Sequence, residues 1–164
     1  MMKSVVGIVV LSLVAVTLSA QHALALTQFK KAFAVKYAND HKSDEFKATV
    51  KKAGCNVCHV KRAKKTVHNE YGESLKKLIE GDVADRRKKA KAEGGLEASK
   101  AELVKILAEL EVAFNKTEEV KSHTDQTFGE RIQEGKLPVD LTWAQEQYKK
   151  KKAEEEAAKK LAEK

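Results

Sequence analysis

The stretch Gly54-Cys55-Asn56-Val57-Cys58-His59-Val60 contains both cysteines of the chain and sets a histidine directly after the second. A disulfide between two cysteines three positions apart closes a loop so small that it restrains little of the unfolded chain, so stability does not explain the spacing. Cys-x-x-Cys-His is the attachment signature for c-type haem. On a helical turn the thiols of Cys55 and Cys58 can each add to one vinyl group of the porphyrin. His59 then comes under the iron and gives a ring nitrogen as the proximal ligand. That neutral ring needs a hydrogen bond from its other nitrogen, and a backbone carbonyl is the expected acceptor. A thioredoxin-like pair would want a βαβ context, and none is visible. A zinc site would want a second closely spaced ligand pair, and the adjacent Cys58 and His59 do not easily point at one tetrahedral metal.

Upstream of the motif, Lys3 precedes an unbroken apolar run from Val5 to Leu18, and Ala23-Leu24-Ala25 offers a small-x-small cleavage site. That is the plan of a secretory signal peptide, residues 1–25. The run is shorter than the roughly 20 residues a spanning helix needs. The sequence thus predicts export to the periplasm or another extracytoplasmic space, with no stable membrane span after cleavage. Removing residues 1–25 takes away one charged residue, Lys3, and leaves a net charge of +7 from the +8 of the full chain. The remaining 139 of 164 residues suffice for one modest domain. A basic exported protein suits an acidic protein partner or an anionic surface, and export argues against nucleic acid.

The mature chain reads as all-α, with one proline, Pro138. Phe29, Phe33 and Tyr37 recur at four-residue spacing, one face of a first helix. Ser43 is placed to cap a second, with Asp44 and Glu45 in its first turn and Phe46 and Val50 on its apolar face. Tyr71, Leu75, Leu78 and Ile79 mark a third helix, which Gly81 is expected to end. Residues 82–95 read as a charged connector closing at Gly94-Gly95. A longer helix follows on Leu96, Leu103, Leu107, Leu110 and Phe114, widened by Val104 and Ile106, with Ser99 and Glu102 placed for a capping box. Phe128, Ile132 and Leu137 belong to a short helix flanked by turns. From Trp143 onward the chain is rich in Lys, Glu and Ala and reads as a solvated helical tail.

The opposite face of the iron is the less determined one. Met1 and Met2 are the only methionines, and both leave with the leader, so the mature chain has no methionine ligand. His68, nine residues past His59, is the first distal candidate, followed by His41 and then His123. An open or water-bound position ranks level with His68. Lys51, Lys52, Lys61, Arg62, Lys64 and Lys65 surround the motif and are placed either to steer an acidic redox partner or simply to be solvated.

The order of segments resembles that of short exported bacterial proteins with a single-haem cytochrome c domain. The resemblance rests on the Cys-Asn-Val-Cys-His motif, on Asn69-Glu70-Tyr71-Gly72, and on the Thr127-Phe128-Gly129-Glu130-Arg131-Ile132 … Gly135-Lys136-Leu137-Pro138 element. It covers roughly residues 29–140, and only Cys55, Cys58 and His59 carry over as functional residues. It implies an all-α, cytochrome c-like helical domain, residues 26–142, around one covalent haem c, with the charged tail 143–164 outside it. It also implies electron transfer, and the basic charge points to an acidic redox protein partner. No side-chain nucleophile or acid–base pair is evident, which argues for a carrier and not an enzyme. Two further readings are a haem protein whose open iron binds or reduces a small ligand, and a haem-containing module that docks a larger redox complex.

Overall fold

The computed structural model describes residues 27–162, so the leader expected at residues 1–25 lies outside the described residues. The chain is all-α. Helix α1 covers residues 27–38, and its last part, Ala34–Ala38, widens to π-helical bonding. Next come α2 (Asp44–Ala53), a 3-10 turn (Gly54–Val57), α3 (Glu70–Leu78), α4 (Val83–Glu118), α5 (Phe128–Gln133) and α6 (Leu141–Ala162). Extended pairing among the described residues is confined to two isolated bridges, His59 with His68 and Lys121 with Thr127.

The core forms where α1, α3, α4 and α5 meet around Tyr71, which is fully buried. Its ring packs edge-on against Phe33 of α1 at 5.9 Å and Phe128 of α5 at 5.2 Å. Phe33 in turn meets Phe114 of α4 at 6.1 Å, and Tyr37 meets the same ring at 5.6 Å. The four-residue spacing of Phe29, Phe33 and Tyr37 therefore does mark the inward face of α1. Ser43 caps α2 as its position suggests, its hydroxyl accepting the N–H of Phe46 at 3.1 Å. Helix α3 stops at Leu78, earlier than expected. Gly81, at φ +64°, turns the chain afterwards.

The segment from 82 to 118 departs most from its sequence reading. Residues 83–93 are helical, not a connector. Asp82 caps them, its carboxylate accepting the N–H groups of Ala84 (2.8 Å) and Asp85 (3.0 Å). Gly94 (φ −140°, ψ 18°) and Gly95 (φ 72°, ψ −157°) then break the helix. The Arg86 guanidinium lies 2.7 Å from both Glu102 and Glu109. In a straight helix residues 86 and 109 would be about 34 Å apart, so the two limbs of α4 must fold back on each other as a hairpin. Ser99 is buried within the second limb and caps nothing. Leu96 and Val104 are largely exposed, because the inward stripe runs instead through Ile106, Leu110, Ala113, Phe114 and Thr117.

Helix α6 starts at Leu141, before the expected boundary at 143. Its first turn belongs to the domain: Ala144 is buried, and the Trp143 ring stacks on His123 at 3.8 Å with a 9° interplanar angle. Residues 149–162 are exposed throughout. Their ion pairs, Lys151–Glu155 at 3.9 Å and Lys152–Glu156 at 3.6 Å, run in the weaker lysine-first order. Truncation after Tyr148 is accordingly expected to leave the thermal unfolding midpoint unchanged. Trp143→Ala should cost about 1–2 kcal/mol, both read by circular dichroism melts.

Candidate functional site

The C-terminus of α2 delivers the cysteine motif. Gly54 adopts φ 55°, ψ −121°, a left-handed value that carries a side chain only with strain, and turns the chain from α2 into the 3-10 segment. There the Cys55 carbonyl accepts the N–H groups of Cys58 (3.3 Å) and His59 (3.1 Å). Residues three apart eclipse one another in 3-10 geometry, so the two thiols share one edge of the turn. Both are free and half-buried. Burial, and to a lesser degree the neighbouring Cys55, pushes the Cys58 thiol up to about 12.

His59 follows at once and is only 7 % exposed. Burial is the main cause that lowers its imidazole to about 4, helped by His68 and Lys65 and opposed by a hydrogen bond to the Val67 carbonyl. At neutral pH the ring is therefore uncharged. Its Nδ1 is buried without a hydrogen-bond partner. A neutral imidazole with an orphaned nitrogen is the form that donates a lone pair to a metal.

Asn69 and Gly72 of the Asn-x-Tyr-Gly element hold this turn in place. The Asn69 side chain, 3 % exposed, acts at both ends. Its Oδ1 accepts the N–H of Gly72 at 2.9 Å and so caps α3. Its Nδ2 donates to the carbonyls of Asn56 (3.1 Å) and Val57 (3.0 Å) inside the motif. The Asn69 N–H donates to the Cys58 carbonyl at 3.0 Å. Gly72 lies so close to that carbonyl that a Cβ on it would come within 2.0 Å of the oxygen. The pattern itself was visible, but its partners 12 and 13 residues upstream were not.

The distal candidates fall in three different places. His68 pairs with His59 in the isolated bridge, which the Val60 N–H to Val67 carbonyl bond (3.1 Å) fixes. Directly opposed bridge residues project to the same side, and the two rings lie 4.7 Å apart, tilted by 32°. Two imidazoles bonded to opposite faces of one metal have centroids about 6 Å apart, given metal–nitrogen bonds of about 2 Å. The observed spacing is shorter than that, and the His68 Nδ1, 3.4 Å from Glu73, is like that of His59 buried without a hydrogen-bond partner. His41 uses both ring nitrogens within the protein. Its Nδ1 accepts the N–H of Ser43 (3.0 Å), which leaves the proton on Nε2 to reach the Ile132 carbonyl (3.1 Å). His123 stacks on Trp143, with Nδ1 2.7 Å from Glu70.

An apolar cleft of about 420 Å³ opens beside Cys58, walled by Phe29, Phe33, Val50 and Val57, with Lys30 and Lys51 among its lining residues. His59 is not among its walls. Lys51, Lys52, Lys61, Arg62, Lys64 and Lys65 are all exposed. Arg62, at φ 64°, stands in a left-handed conformation within the turn 60–67. Among the described residues no group of three or more His, Cys, Asp or Glu side chains gathers to hold a bare metal ion. A porphyrin brings its own four nitrogen donors and asks the chain for only one axial ligand and two thiols. Cys55, Cys58 and His59 fit that demand.

No family model, curated protein or solved structure matches this chain.

The packing of α3 on the motif yields a direct prediction. Gly72→Ala forces a methyl group against the Cys58 carbonyl and should cost more than roughly 3 kcal/mol in denaturant unfolding. Asn69→Ala, which removes a cap and two donors, should cost about 1–3 kcal/mol.

Proposed function

We propose that the chain is an exported single-haem c-type cytochrome that carries electrons to or from an acidic redox protein. One observation carries this reading. Two free thiols share one edge of a 3-10 turn, and the residue after them is a buried imidazole with an unpartnered nitrogen. Cys55 and Cys58 would hold the porphyrin covalently, and His59 would hold its iron from one side. When bound, the haem supplies a one-electron couple between ferric and ferrous iron.

The chain's own groups do the rest. Asn69 and Gly72 fix the backbone at Cys58 and His59, so the axial imidazole keeps its orientation. Burial keeps that imidazole neutral. The exposed cations around the motif suit an acidic partner, acting on association rate more than on redox chemistry.

A second reading, a small-ligand haem protein with an open sixth position, draws on a specific observation. His41 is held at both nitrogens, and His68 stands on the side of His59. Optical spectroscopy of the purified exported protein separates the two. A carrier gives a reversible one-electron couple and ferrous bands unaffected by carbon monoxide. Prompt carbon monoxide binding to the reduced protein would favour the ligand-binding reading. Absence of any haem spectrum would overturn both. Because His68 lies beside His59, His68→Ala should leave the coordination and spin-state bands unchanged. A low-spin to high-spin conversion in that variant would show that His68 is the sixth ligand.

A further inference from the structure

Among the described residues, one buried guanidinium has no carboxylate in direct contact. Arg131 of α5 is only 8 % exposed. Its Nε donates to the Leu137 carbonyl (3.1 Å) and its Nη1 to the Thr124 hydroxyl (3.1 Å), both neutral acceptors. Among the described residues no carboxylate comes within 4.0 Å of it. Arg86 shows how this fold treats a guanidinium elsewhere. It is more exposed, with 21 % of its side chain accessible, yet it has Glu102 and Glu109 each at 2.7 Å. A buried charge without a partner is costly, and burial normally comes with pairing.

Arg131 also lines an open recess of about 500 Å³ between α2 and the turns that flank α5. Thr49, Thr124, Gln126, Lys136 and Asp140 supply its other polar groups. The two carboxylates nearby are committed. Asp140 accepts the N–H groups of Thr142 (2.8 Å) and Trp143 (2.9 Å) at the start of α6. Glu134 is held by Lys136 (2.6 Å) and Gln126 (2.7 Å) and feels the Arg131 charge only at longer range. The Thr124 hydroxyl is engaged with Ser122 Oγ (2.8 Å) and Arg131, whereas the Thr49 hydroxyl lines the recess without a hydrogen-bond partner among the described residues.

We propose that this recess binds a small oxyanion of the carboxylate or phosphate kind, with Arg131 as its buried charge and Lys136 and Thr49 at its mouth. The planar fork of Arg131 suits such a ligand, because guanidinium matches carboxylate and phosphate geometry. The site is separate from the cysteine motif and does not depend on haem.

The test is a titration of the full mature protein with inorganic phosphate, and separately with acetate, at constant ionic strength. The readout is the Arg131 Nε–H resonance. A saturable shift with either anion is expected, with affinity reduced several-fold in Lys136→Gln and in Thr49→Val. Both substitutions are at partly or fully exposed positions, so the fold survives them. Saturation by phosphate alone, or by acetate alone, identifies which oxyanion the recess prefers. A shift that only rises linearly with both anions, or a saturation that neither substitution weakens, overturns the proposal.

Discussion

The structure depends on the seating of α3 against the cysteine turn. Gly72 brings the α3 backbone onto the Cys58 carbonyl, and Asn69 ties the same turn through two donors while it caps the helix. Tyr71, between them in sequence, is the buried ring on which α1 and α5 pack. One tetrapeptide thus links the chemistry-bearing turn to the centre of the core. A turn held at both its carbonyls and its flanking bridge has few ways to move. An axial ligand needs this rigidity, since ligand orientation is set by surrounding hydrogen bonds.

The electrostatics of the turn follow from the same seating. Burial under α3 and the 60–67 turn keeps His59 uncharged and raises the Cys58 thiol. At neutral pH both groups are therefore uncharged. The exposed lysines surround this site without entering ion pairs of the kind that bind Arg86 in the α4 hairpin. Their charge faces solvent, where it acts at long range on a partner.

Much of this was legible in the chain, and the remainder was not for physical reasons. Three local signals held: the Ser43 cap, the Phe29–Phe33–Tyr37 face and the all-α class each depend on neighbours within a turn or two, whereas the Ser99–Glu102 capping box lies inside a helix limb and caps nothing. Contacts far apart in sequence were invisible. The Gly94-Gly95 pair reads equally well as the end of a linker or the apex of a helical hairpin, and only Arg86 meeting Glu109 distinguishes them. Val104 was assigned inward because apolar residues crowd that helix, yet the second limb turns it to solvent. His41 looked available as a ligand, but its Nε2 is held by the Ile132 carbonyl, 91 residues away. Chain length alone brings His68 near His59, and only the bridge shows their rings 4.7 Å apart.

The central claim is that Cys55 and Cys58 carry a covalently bound haem. Its most direct test is the intact mass of the purified exported protein under denaturing conditions. The account predicts the mass of the chain from residue 26 plus that of one haem, retained after unfolding and acid extraction. A denatured protein at the mass of the bare polypeptide, with any haem released, would contradict it.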